Sequence, residues 1–188
     1  MIELSPGQEM PLVDETGEQL TRLRMGVGWD HAPTAGFIGT GAPEIDLDAS
    51  AVQFAGGQLF DLAFYNHLQT RDGSVVHLGD NTTGRGEGDD EVLNVDLPKV
   101  YEKVDAIVLF VSSYQGHTLE WIANAYCRLV DENDVELARL RLTGGVPQTG
   151  LVMAKIFRDG DQWRLRAIGE GIAVTVPTES VRALQPYL

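Results

Sequence analysis

The chain has 188 residues, 43% hydrophobic and 22% charged, proportions that let one globular core form. Twenty-eight Asp and Glu against 14 Lys and Arg leave a net charge of −14, so phosphate backbones and anionic lipid surfaces are poor partners and cations or basic surfaces good ones. Cys127 is the only cysteine, which excludes an intramolecular disulfide and a thiolate metal cluster.

The N-terminal stretch beginning Met1-Ile-Glu-Leu-Ser-Pro has neither a basic n-region nor an apolar h-region, and the longest clean apolar run, Ala106–Val111, is too short to cross a bilayer. A cytoplasmic protein without membrane insertion is expected. In Arg22–Trp29 the residues Leu23, Met25, Val27 and Trp29 alternate with Arg22, Arg24, Gly26 and Gly28, the pattern of a strand with one buried face. Residues 31–43, rich in Gly, Ala, Pro and Thr, read as a loop insertion within a single domain spanning 1–188.

Asp46-Leu47-Asp48 follows. In extended chain its two carboxylates share a face and Leu47 points away. Asp30, at the end of the first strand, is a third supplier of carboxylate to the same chemistry. Asp72-Gly73 signals a turn.

The segment Gly79–Glu91 cannot build a core. It holds four glycines, the carboxylates of Asp80, Glu87, Asp89, Asp90 and Glu91, and the amide of Asn81. Five acids in one short loop repel one another, and a hard divalent cation relieves that repulsion. Calcium takes six to eight oxygen ligands in irregular geometry, and glycines such as Gly84 and Gly86 let backbone carbonyls converge with the acids. Magnesium demands a stricter octahedron, and transition metals want the His or Cys that the loop lacks. The EF-hand spacing is missing, and Gly84-x-Gly86-x-Gly88 lacks the Lys-Ser/Thr of a phosphate cradle.

Beyond the loop, Val92–Leu97 alternates again, Ala106–Val111 suits a strand buried on both faces, and Cys127 sits in the strand-like run Ala123–Val130 as a packed small hydrophobe. Asp159-Gly160-Asp161 joins Ala154–Phe157 to Trp163–Ile168 as a hairpin. Short helical turns are expected at Pro98–Val104, Thr118–Ala123 and Ser180–Gln185, the last capped by Ser180. Many short strands between Gly/Asp turns predict an all-β sandwich of two sheets with short peripheral helices and the acidic loops at one end.

Catalytic patterns are sparse. His31, His67, His77 and His117 show no metal-ligand spacing, and no G-x-S-x-G elbow occurs. Two readings stay open beside cation binding: a hydrolase using paired carboxylates such as Asp46 with Asp89 or Glu91, and an acidic module that docks a basic partner directly.

Taken together, Val27-Gly-Trp-Asp30, Asp46-Leu-Asp-Ala-Ser50, Phe64-Tyr-Asn66, Asp72-Gly-Ser74 and the long Gly79–Glu91 motif resemble the tellurium-resistance TerD domain family. The likeness continues through Asn124-Ala125, Glu136–Arg139 and Trp163–Gly169. It implies a bacterial cytoplasmic β-sandwich that binds calcium, commonly two ions, with no catalytic activity. It implies a role in tellurite resistance and stress response alongside other stress-operon proteins. Carried onto this chain, the ligand loops fall on Asp46 and Asp48, and on Asp80 and Asn81 with Asp89, Asp90 and Glu91.

Overall fold

In the computed structural model, which describes residues 2–31, 46–79, 89–142 and 145–188, two β-sheets face each other across one core. The strands are β1 (Ile2–Leu4), β2 (Glu9–Pro11), β3 (Arg22–His31), β4 (Leu47–Ala55), β5 (Gln58–Ala63) and β6 (Val75–His77) in the first half of the chain. β7 (Glu91–Asp96), β8 (Ala106–Ser113), β9 (Ile122–Asp131), β10 (Glu136–Leu142), β11 (Gly150–Asp159) and β12 (Gln162–Ile172) follow, and a short helix α1 (Val181–Leu184) comes near the end. The first sheet runs β1-β10-β9-β3-β7-β6 and the second β2-β12-β11-β8-β4-β5. All the pairings are antiparallel except β1 on β10.

The alternation of β3 puts Leu23, Met25, Val27 and Trp29 between the sheets, against Leu47, Ala49 and Ala51 of β4 and Ile107, Leu109 and Val111 of β8 in a single cluster. β8 is buried on both faces, as the uniformly apolar run Ala106–Val111 requires, and it ends in the buried Ser112 and Ser113. Its outer residues Val108 and Phe110, with Val52 and Phe54 of β4 and Ile172 of β12, cluster with Val174 and Leu184 of the C-terminal segment. The expected hairpin is β11–β12, closed by Asp159 opposite Gln162 with Gly160 at φ 62°.

Three boundaries differ from expectation. β7 begins at Glu91 and ends at Asp96, because Leu97 opens a 3-10 turn with Pro98 in its first positions. The Thr118–Ala123 segment gives only the 3-10 turn Leu119–Trp121 before β9. Ser180 precedes α1 with helical φ −70° and makes no side-chain cap. An N-cap needs an extended backbone to aim its oxygen at the first free N–H groups. The insertion 31–43 lies outside the described residues apart from the end of β3.

Candidate metal site

The end of β3, the start of β4 and the start of β7 lie together at one end of the sandwich, and two hydrogen bonds from backbone to carboxylate tie them. The first extends the β3–β7 ladder beyond its last pair, Val27 opposite Glu91. Asp90 donates its N–H to the Val27 carbonyl at 2.8 Å, and its Oδ2 accepts the Trp29 N–H at 3.1 Å. The side chain thus stands in for the next backbone acceptor of the strand.

The second bond crosses from sheet to sheet. Glu91 points inward from β7 with its side chain fully buried, and its Oε2 accepts the N–H of Ala49 on β4. That N–H is available because β5 reaches only as far as Ala63 opposite Ala51. The same oxygen lies 3.3 Å from Nε2 of His77, which is equally buried on β6. Gly79 donates its N–H to His77 Nδ1 at 3.1 Å, so Nδ1 carries no proton and Nε2–H donates to Glu91. His77 is therefore structural: it fixes the root of the acidic loop from the Gly79 side, and Glu91 fixes it from the other.

Asp46 is half-buried just before β4. Asp48 is buried on the outer face of the second sheet, directly opposite Ser112 of β8, while Leu47 and Ala49 face the inter-sheet core. Asp48 and Leu47 face opposite sides of the sheet, as extended chain requires. Asp30 closes β3 opposite Ala123. The pairing of β3 with β9 slips between Gly28 and Asp30, and Asn124 there takes the left-handed φ of 53°. Asp80, Asn81, Gly84 and Gly86 lie outside the described residues. Among the described residues, no three His, Cys, Asp or Glu side chains form a group that could hold a metal ion.

Asp89 parts company with its two neighbours. A bend at Asp90 turns it to the outer face of the first sheet, where Arg128 grips both oxygens, Nε to Oδ1 at 2.6 Å and Nη2 to Oδ2 at 2.9 Å. The Tyr126 hydroxyl donates to Oδ1 at 3.2 Å. Burial, with the Asp89 charge adding to it, pushes the Tyr126 phenol up to about 12. The carboxylate lies flat on β3: a Cβ at Gly26 would come 2.0 Å from Asp89 Oδ2, and one at Gly28 would meet the Tyr126 ring at 2.5 Å. Gly-x-Gly inside a strand is the sequence signal of such an approach.

A profile of the TerD domain matches residues 1–178. The chain belongs to the TerD domain family. It is 37% identical to the tellurium resistance protein TerZ of Serratia marcescens over 173 residues, covering 90% of this chain and 89% of that protein. With the stress response protein SCP2 of Bacillus subtilis it shares 36% identity over 184 residues, 90% of this chain and 92% of the relative. The crystal structure of a homologue of the telluride resistance protein TerD from Streptomyces coelicolor superposes with a TM-score of 0.67. That match covers 86% of this chain and 95% of the other at 20% identity, which establishes the common fold.

In this TerD domain the turn residue Asp72 has a larger part than its Asp-Gly signal suggests. Oδ1 accepts from the Thr70 hydroxyl at 2.8 Å and from both N–H and hydroxyl of Ser74, and Oδ2 accepts from Tyr101 N–H at 3.0 Å and from Gln53 at 3.2 Å. Gln53 is fully buried on β4, so the turn is locked to the second sheet. Burial raises the Asp72 pKa, but the donors of Tyr101, Ser74 and Thr70 outweigh it and hold the carboxyl below its ordinary value. A depressed folded-state pKa contributes stability above the unfolded value, and that stability is lost as pH falls through the folded one. Asp72→Asn should therefore lower the urea midpoint at neutral pH and flatten its decline on acidification. A decline as steep as in the unaltered chain would assign the acid sensitivity to other groups.

Proposed function

We propose that this chain is a calcium-binding, non-catalytic stress-response protein of the cytoplasm, acting with other stress proteins. The observation that carries the reading is the pair of bonds Asp90–Trp29 and Glu91–Ala49, which brings three acid-bearing stretches to one end of the sandwich. The donor set fits a hard cation. It consists of carboxylate, amide and carbonyl oxygens, and Cys127, the one thiol, is buried in the core with its pKa pushed up to about 12 by burial.

Asp46, Asp48 and Asp90 would hold calcium, together with Asp30 and, from the loop, Asp80, Asn81 and the carbonyls of Gly84 and Gly86. The motif has carboxylates enough for two ions. Asp89 is left out of this set because Arg128 already neutralises it, and Glu91 serves as the buried anchor of the loop's root. Bound calcium would supply positive charge where acids converge and fix the loop against the two sheets. Relatives named tellurium resistance protein TerZ and stress response protein SCP2 support the same role for this chain.

Calorimetric titration with calcium, with magnesium as control, tests this. The expected Kd is about 10⁻⁶ M or tighter, in the range of intracellular sites, with magnesium weaker. Asp90→Ala should abolish the calcium isotherm, and Asp89→Ala should leave it nearly unchanged. Undiminished affinity in Asp90→Ala would overturn the site.

A further inference from the structure

The opposite end of the first sheet carries a groove of about 420 Å³, open to solvent, where the first residues of β3 and the last of β7 meet the β9–β10 turn. A second hollow continues it past Thr21, Pro98 and Asn133, sharing Arg22, Asp96 and Glu132 with the first. This is far along β3 from Trp29, and its chemistry differs. Three of the chain's 14 basic residues, Arg22, Arg24 and Lys99, line it together with acids of the turn.

Charges of both signs are only partly paired. Asp96 is shared by Arg22 at 3.6 Å and Lys99 at 3.1 Å. Arg24 has one acceptor among the described residues, Oδ1 of Asp134 at 2.9 Å, and its Nε–H is buried with none. A guanidinium offers five N–H donors, so Arg24 has donors to spare. Its counter-ion is weakly held. Asp134 is 78% exposed on a left-handed turn residue with φ 63°, and an exposed pair of that kind contributes little. Asn94 lies directly across from Arg24 on β7 and adds an amide beside it. On the facing wall, Glu132 uses Oε2 to accept from the Thr21 hydroxyl and Asp131 uses Oδ1 to close its own turn, which leaves the second oxygen of each carboxylate for another donor.

A simple anion would meet the acids of the turn, and a simple cation would meet the three bases. A ligand with both charges matches both walls. We propose that this groove binds a small zwitterion of the amino-acid class, its carboxylate taken by Arg24 and Asn94 in place of Asp134 and its ammonium by Asp131 and Glu132. Arg is suited to the carboxylate end because its planar fork takes two oxygens at once.

An ω-amino acid series measures the spacing directly. β-Alanine, 4-aminobutyrate and 6-aminohexanoate are titrated into ¹⁵N-labelled protein, with butyrate and butylamine as single-charge controls. Saturable shifts are expected at the amides of Arg24, Asn94 and Asp131 for at least one zwitterion, with about tenfold weaker binding or worse for both controls, the loss of one charged contact. Arg24→Gln should remove the response while the melting curve stays cooperative. Asp134→Asn, at an exposed turn position that Asn fits, should tighten binding by freeing Arg24. Butyrate binding as tightly as the best zwitterion would overturn the proposal, as would the absence of saturable shifts with the whole series. So would unchanged affinity in Asp134→Asn, an outcome that holds even if Arg24→Gln fails to fold.

Discussion

Glu91→Ala is expected to destabilise the protein by about 3–5 kcal/mol, the largest effect of any single acidic substitution near the site. The carboxylate is fully buried and accepts from Ala49 N–H and from His77 Nε2–H, so its loss strands two donors where water cannot reach them. An exposed acid of the same loop would cost almost nothing by comparison. Glu91→Gln keeps one carbonyl oxygen for the Ala49 N–H and should lose distinctly less. Urea unfolding at neutral pH separates the two variants from the unaltered chain. Near-equal midpoints for all three would mean that Glu91 does not hold the sheets together.

Calcium is expected to stabilise the folded chain by about 2.7 kcal/mol at a hundredfold excess over its Kd, because only the folded state brings the ligand stretches together. For a chain of this size that corresponds to roughly 5–10 °C in the unfolding midpoint. Chelator should remove the gain and restore the mutual repulsion of the loop's acids, and added calcium should bring it back. In Asp90→Ala the midpoint should be nearly indifferent to calcium. A midpoint that ignores both chelator and calcium in the unaltered protein would mean that any ion binds too weakly to act.

The elements that were legible in the sequence are those in which one physical rule acts alone. β3 shows strict alternation because one face meets the core and the other does not, and Ala106–Val111 of β8 is uniformly apolar because the C-terminal segment covers its second face. The hairpin at Gly160 announces itself through its turn chemistry. The three-residue strands β1 and β2 leave no such trace, since so short a run has no period to read.

At the candidate site, Asp30, Asp46, Asp48, Asp90 and Glu91 are legible in the sequence as acidic residue types, and the bonds from Trp29 to Asp90 and from Ala49 to Glu91 are not readable from spacing. Period-two reasoning would place Asp89 and Glu91 on one side. The bend at Asp90 sends them to opposite faces of the first sheet, one to Arg128 and one to Ala49. The partners that decide this, Arg128 and His77, are distant in sequence, and each would pass alone for an ordinary charged or buried residue. Gly26 and Gly28 held the clue to Asp89 and Tyr126, since strand glycines mark where another group lies against the backbone.

The Trp29 and Ala49 amides report the central claim most directly, because their acceptors are the carboxylates of Asp90 and Glu91. A calcium titration followed by amide NMR should move Trp29, Ala49 and the Asp46–Asp48 stretch together. Arg128, Tyr126 and the core strand β8 should stay nearly fixed. Shifts confined to Arg128 and Tyr126, or spread evenly over both sheets while Trp29 and Ala49 stand still, would contradict a calcium site at this end of the sandwich.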